Sequence, residues 1–328
     1  MIALKRVVLA RTVICSGNKR GIRNLFDLGF NEGDWFPFVR FLAPHSKIQL
    51  VLRCRLMSMP YGQDIPLDTL ISVATAAARQ AGAVLAECTR KGFRIEHKQI
   101  INLVTDADHQ AEQRIIDVIH DAFPTHRVLA EERGLTEQPP SRYKWVIDPL
   151  DGTTNFAHGF PAYCVSIGVE CDGCGIIGVV YDPTRDELFT AQIGHGAYLN
   201  GFPISVSKSD HLDHALLVTG FAYDIRETPN NNLNHFVRFA LKVQGLRRTG
   251  TAALDLCYVA AGRFDGFWEV KLNPWDMAAG VVILREAGGR VTDLKGAPHS
   301  IYGQELVASN GPIHQAMLDL LQEDAPPS

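Results

Sequence analysis

Between Leu67 and Lys91 apolar residues recur at Leu70, Val73, Ala77, Ala81, Val84, Leu85 and Cys88, the spacing of one buried helix face, with Pro66 suited to the first turn. Ile115, Ile116, Val118 and Ile119 repeat that period and predict a second helix, opened by the stretch Asn102 to Asp108. The pattern then changes. Trp145, Val146 and Ile147 form a short continuous apolar run, the mark of a buried strand, and Pro149 is expected to stop it because proline has no N–H for the ladder. The β-branched runs Tyr163 to Glu170 and Gly175 to Tyr181 flank Cys171-Asp172-Gly173-Cys174, and Asp-Gly between two strands predicts a hairpin. Glu187 to Gln192 and Gly196 to Leu199 extend this antiparallel meander to a second tight turn at Asn200-Gly201. Beyond it the pattern predicts strands at 215–219, 263–270 and 306–308, and helices at 230–243, 250–261, 277–287 and 313–321. Helices and strands alternating irregularly around a central meander imply layered helices and sheets.

Composition narrows the class. The chain has 328 residues and is 46% hydrophobic with balanced charge, enough to bury one large or two modest cores. No run reaches the roughly 18 consecutive apolar residues of a membrane span. Seven cysteines, odd in number and scattered, argue against a disulfide framework and for a reducing compartment, so a cytoplasmic location is expected. The pair at Cys171 and Cys174 has no second pair at zinc spacing and is read as part of a turn. The first 56 residues hold 10 Lys/Arg against 3 Asp/Glu, whereas the rest carry 22 against 33, a formal charge of −11. An acidic body is a poor non-specific partner for nucleic acid and a natural host for divalent cations. Residues 1–58 form a basic N-terminal extension expected to be non-catalytic. Asp27, Glu32 and Asp34 interrupt any transit-peptide pattern there, and Met57 or Met59 is a candidate start.

The candidate chemistry centres on Trp145 to Phe156, where an apolar strand ends in two carboxylates, Asp148 and Asp151, followed by Gly152, Thr153 and Thr154. Two readings compete. The acids are either an Asx-type turn capping a helix, or ligands that converge with the Leu150 carbonyl on a hard cation such as Mg²⁺, beside the free N–H groups of a helix start. Two further stretches favour the second reading. Ala130-Glu131-Glu132 follows the apolar pair Val128-Leu129, and Asn273-Pro274-Trp275-Asp276-Met277-Ala278-Ala279-Gly280 opens another helix.

In these stretches the sequence resembles the inositol monophosphatase family of magnesium-dependent, lithium-sensitive phosphatases. Asp148-Pro-Leu-Asp-Gly-Thr-Thr-Asn-Phe is similar to the family's first signature and Pro274-Trp-Asp-Met-Ala-Ala-Gly to its second. The resemblance runs from about Leu67 to about Leu321 and implies a catalytic domain over residues 59–328 with a five-layer αβαβα sandwich, an α/β layered fold. It implies that Glu131, Asp148, Leu150 and one Mg²⁺ associate, that Asp148, Asp151 and Asp276 take a second, and that the Thr153 hydroxyl, oriented by Asp108, helps Glu131 activate water. Gly152, Thr153, Gly250, Thr251 and Ala252 are expected, with Asp151, to line the substrate pocket. Glu269 is expected to accept from sugar hydroxyls, unless it is an exposed strand-end acid. Asp276 could cap its helix and bind metal at once. Lys98 matches the family, but Asn102 stands where an aspartate associated with a weak third metal is usual, so a third Mg²⁺ should bind weakly. Ala130 replaces a glycine often found before the paired glutamates. The expected substrate is inositol 1-phosphate, with histidinol phosphate, 3′-phosphoadenosine nucleotides and fructose bisphosphate as alternatives. A homodimer is expected by analogy. Contact with RNA polymerase or RNA is the alternative role, although no aromatic-basic RNA motif is present.

Overall fold

The structure, a computed structural model, describes residues 65–97 and 103–323. The basic extension, Lys98 and Asn102 lie outside the described residues. Helix α1 (Leu67–Lys91) buries Leu70, Ala74, Ala77, Ala78, Ala81, Gly82, Leu85 and Cys88, the stripe its spacing predicts. It is long and apolar enough by composition to span a membrane, but that stripe packs into the protein core. A short hairpin, β1 (Ile95–His97) with β2 (Leu103–Thr105), leads into α2 (Asp106–Ala122).

The first sheet follows, formed by β3 (Arg127–Ala130), β4 (Gly134–Leu135), β5 (Tyr143–Asp151), β6 (Cys164–Cys171), β7 (Cys174–Asp182), β8 (Glu187–Gln192), β9 (Gly196–Leu199) and β10 (Phe202–Ile204). Its order is β10-β9-β8-β7-β6-β5-β3-β4, an antiparallel meander except for the parallel pair β3 and β5. The Asp172-Gly173 and Asn200-Gly201 turns both take left-handed φ, as tight hairpins of their type require. Pro149 does not end its strand. The ladder between β5 and β6 continues to Asp151, with a register shift between Asp148 and Asp151. A bulge leaves a residue unpaired, so it tolerates the missing N–H, and it also turns the strand so that both aspartates leave from its end.

After a one-turn helix α3 (Thr153–Ala157) and the meander, a second sheet is built from β11 (Leu216–Thr219), β12 (Gly245–Arg247), β13 (Gly266–Val270), β14 (Arg290–Thr292) and β15 (Glu305–Ser309) in the order β12-β11-β13-β15-β14. The helices beside it are α4 (Leu233–Ala240), α5 (Ala252–Ala260), α6 (Pro274–Glu286) and α7 (His314–Gln322). Two of these elements start three residues later than the pattern predicts. Helix α4 starts at Leu233 because Asn232 adopts left-handed φ to bond Thr219, Gly220 and Trp268. Strand β13 starts at Gly266 because the Asp265 carboxylate accepts from Ser207 and the Leu216 N–H.

Three cores separate the layers. One joins α1 and α2 to the first sheet, the second joins that sheet through α5 and α6 to the second sheet, and the third covers the second sheet with α4 and α7. The result is the αβαβα sandwich. In the middle layer α6 lies close on β6 and β7, and a Cβ added at Gly168 would meet Ala278 at 2.7 Å. That approach brings the N-terminus of α6 to the end of β5.

Candidate functional site

Strand β5 delivers Asp148 and Asp151, and the turn after β3 delivers Glu131 beside them, because β3 runs parallel to β5. That turn is fixed from below. Glu112, buried on α2, accepts the Glu132 N–H at 3.0 Å and pairs with Arg133 at 3.0 Å. Its polar side chain interrupts the apolar stripe of α2, a signal that sequence reasoning passed over.

Asp108 and Thr153 meet as expected. One Asp108 oxygen accepts from the Thr105 N–H at 2.8 Å and the Thr105 hydroxyl at 2.6 Å, closing the start of α2. The other oxygen lies 3.1 Å from the Thr153 hydroxyl, which also faces the Leu150 carbonyl at 3.0 Å. Burial pushes the Asp108 carboxyl up while these hydrogen bonds hold it down. Between Asp151 and Thr153, Gly152 takes φ +97°, and a Cβ there would stand 2.9 Å from the Ala162 carbonyl. Only glycine fits that turn. The helix it opens is one turn long, so individual N–H groups rather than a macrodipole face the site.

Asp151 reaches across to the second half of the chain. Its Oδ2 accepts the Thr251 hydroxyl at 2.6 Å and the Ala253 N–H at 2.7 Å, while Thr251 caps α5. Asn155 donates to the carbonyls of Ala162 and Thr249, tying the central turn to the segment carrying Gly250. Glu269, 9% exposed near the end of β13, points at the Gly220 backbone, and burial with the nearby Asp255 charge pushes its carboxyl up to about 8. It is therefore not an exposed strand-end acid. Asp276 both caps α6, accepting the Asn273 N–H at 2.7 Å, and faces the other acids.

The electrostatics show how near these acids are. Burial first, then the charges of Glu131, Asp151 and Asp276, push the Asp148 carboxyl well above the carboxylate range. Burial raises Asp151 to about 6 against hydrogen bonds from Thr251 and the start of α5, and burial followed by the Asp151 charge raises Asp276 well above its usual value. Asp148 is 2% exposed, whereas Asp151 and Asp276 are half-buried, so solvent tempers the shifts of the latter two and Asp148 carries the greatest desolvation cost. Among the described residues no three acid, histidine or cysteine side chains close into a ready cation cage. The acids are neighbours, with the Arg248 charge acting on Asp151 and Glu269, and one oxygen each of Asp148, Asp151 and Asp276 is held by an N–H or hydroxyl. A clustered, all-oxygen, anionic donor set fits a hard divalent cation, which would offset the burial cost and the repulsion of these charges. Tyr223, which sequence reasoning also missed, places its hydroxyl beside Thr154 and the acids.

The chain matches the inositol monophosphatase family over residues 66–325. It is 48% identical over 256 residues to an inositol-1-monophosphatase of Synechocystis, covering 78% of this chain and 89% of that protein. It is 42% identical over 260 residues to the Nus factor SuhB of Escherichia coli K12, covering 79% and 97% respectively. The structure of an inositol monophosphatase from Anabaena superposes with a TM-score of 0.73 at 46% identity, over 80% of this chain and 98% of that one. A layered sandwich with acids gathered where its middle helices meet the first sheet defines a phosphomonoester hydrolase. The chain belongs to the inositol monophosphatase family.

Proposed function

We propose that the protein hydrolyses inositol 1-phosphate to inositol and phosphate with the help of two Mg²⁺ ions. The observation that supports this reading is the gathering of buried acids: burial raises Asp148, Asp151 and Asp276, and the charges of Glu131, Asp151 and Asp276 raise Asp148 further. Glu131, Asp148 and the Leu150 carbonyl would hold one ion, and Asp148, Asp151 and Asp276 the other, with Asp148 shared. The chemistry supplied on binding is Lewis acidity toward water and toward the leaving oxygen.

The protein's own residues do the rest. Asp108 holds the Thr153 hydroxyl in place, and Thr153 with Glu131 orients and deprotonates the attacking water. The N–H groups of Gly152 and Thr153 face the phosphate oxygens and stabilise their charge as the bond to the alcohol breaks. Asp151 fixes the start of α5, and Gly250, Thr251 and Ala252 line the pocket for the alcohol. Glu269 hydrogen-bonds two of its hydroxyls. Residues 59–328 carry the activity, and the reducing cytoplasm suits the cysteine usage. The test is phosphate release from a panel of inositol 1-phosphate, histidinol phosphate, 3′-phosphoadenosine nucleotide and fructose bisphosphate. Fastest turnover of the inositol ester is expected, and strong preference for another ester would overturn the choice.

A second reading follows from the relatives named Nus factors, 42% identical to this chain. In it the protein works chiefly by binding the transcription machinery, with residues 1–58 as a basic arm. Capture of RNA polymerase at physiological salt by the full chain, lost on removing residues 1–58, would favour that role.

A further inference from the structure

The segment from Gly220 to Thr228 leaves the end of β11, and its Tyr223 comes near Thr154 and the acids before the chain turns toward α4. It begins in contact with the site. A Cβ at Gly220 would fall 2.2 Å from Glu269 Oε1, so backbone and carboxylate touch, and the Gly220 carbonyl accepts from Asn232 at 2.8 Å. Phe221 packs on Phe236 with ring centroids 5.7 Å apart. Tyr223 follows, a residue 43% exposed, with its hydroxyl bonded to Thr154 and within reach of the charges of Glu131, Asp151 and Asp148. Glu269 and Tyr223 thus both lie within reach of the Asp151 charge.

Lys271 holds the far end of this segment. Its ammonium lies 2.5 Å from Asp224 Oδ2 and 2.6 Å from the Thr228 hydroxyl. Lys271 sits two residues after Glu269 with φ +62°, a left-handed conformation that costs a residue with a Cβ on the order of 1 kcal/mol. Such a cost persists where the surroundings over-determine it, and it often marks a working position. A half-exposed ion pair adds little stability by itself. What this one does is fix where the loop sits relative to β13, which ends in the site.

We propose that Tyr223 selects the alcohol portion of the substrate, a polyol phosphate, and that Lys271 is the positioning residue that latches the Tyr223 loop over the site. The phenol donates to or accepts from a hydroxyl next to the ester carbon, and its ring face covers the C–H face of the polyol. An ester whose alcohol lacks hydroxyls gains nothing from the phenol O–H. The inference rests on the phosphomonoesterase reading above, but not on which polyol is preferred.

The test compares kcat/KM for the best-hydrolysed ester of the panel with that for p-nitrophenyl phosphate. Tyr223→Phe is expected to lower that ratio about tenfold, chiefly through KM for the polyol ester. Lys271→Met should lower it similarly, and Lys271→Arg should restore it to within about threefold of the parent. Hydrogen exchange supplies a second readout, because the Ile225, Glu227 and Thr228 amides are bonded within the loop. Exchange there should rise at least fivefold in Lys271→Met and not in Lys271→Arg. An unchanged ratio in Tyr223→Phe, or equal losses on both esters, would overturn the selective role; unchanged exchange in Lys271→Met would overturn the latch. If the parent releases phosphate from no ester, the phosphatase reading and the role of Tyr223 fall together, while the exchange experiment still decides the latch.

Discussion

Gly178→Ala should damage both stability and catalysis, although residue 178 bears no functional group. Gly178 lies on β7 under α6, and a Cβ there would stand 2.3 Å from the Ala279 carbonyl oxygen, with Ile283 Cγ1 at 3.1 Å. The first contact is roughly 1 Å inside ordinary van der Waals distance. Because it is with backbone, no side chain can rotate away, and the helix itself must move out by about that distance. Overpacking of this kind costs about 2–3 kcal/mol, the upper part of the usual range. Asp276 lies one turn earlier on the same helix, so the displacement carries it away from Asp148 and Asp151. A catalytic group misplaced by about 1 Å loses on the order of a hundredfold in rate. Urea unfolding and kcat/KM would be measured side by side for Gly178→Ala and for Gly173→Ala. Gly173 has φ +81° but open space around it, so its variant should lose about 1–2 kcal/mol through backbone strain and keep its activity. A Gly178→Ala protein within 0.5 kcal/mol of the parent and within about threefold of its activity would refute the argument that close helix-on-sheet packing sets the acids.

Asp148→Asn should abolish turnover while circular dichroism and the unfolding transition stay native-like, because it relieves a buried charge; activity within about tenfold of the parent, barely 1.4 kcal/mol of barrier, would contradict its assignment. The part of the stability profile owed to two buried histidines should fall as pH drops from about 6.5 toward 4, against the opposite trend of the buried carboxyls Asp148, Asp151, Asp276 and Glu269, which are pushed up and so favour the folded state on acidification. Burial pushes His126 and His314 down to about 4, so the unfolded chain takes up protons first, and each contributes at most about 3 kcal/mol, present above pH 6.5 and lost on acidification. Protonating His126 also removes the acceptor for the Trp145 indole N–H, at 3.0 Å, and His126→Gln should flatten that part of the stability profile measured by urea unfolding. A chain beginning at Met59 should release phosphate at the rate of the full chain, and a loss beyond about fivefold would place residues 1–58 in the catalytic unit.

The helix and strand pattern was legible wherever one face is buried, as in α1, where the apolar spacing names the residues that pack inward. It failed where polar groups override propensity. Asn232 bonds the second sheet and delays α4, and Pro149 sits at a bulge that hydrophobic patterning cannot register. In the site, the acids stood out because several lie in long local signatures. Glu112 and Tyr223 were not visible, nor was the role of Asn155, although it lies within the first signature. Each acts on residues distant in sequence, as when Asn155 bonds Thr249 and Glu112 bonds Glu132, and only the fold brings those partners together.

The most direct test of the account is a calorimetric titration of magnesium into the substrate-free protein and into Asp148→Asn. The acid cluster in the parent should bind about two equivalents, with a rise in unfolding temperature as the repulsion is relieved, and the variant should lose both effects. A parent that neither binds magnesium nor gains stability from it, or a variant that binds it equally well, would contradict the claim that these acids form a cation site.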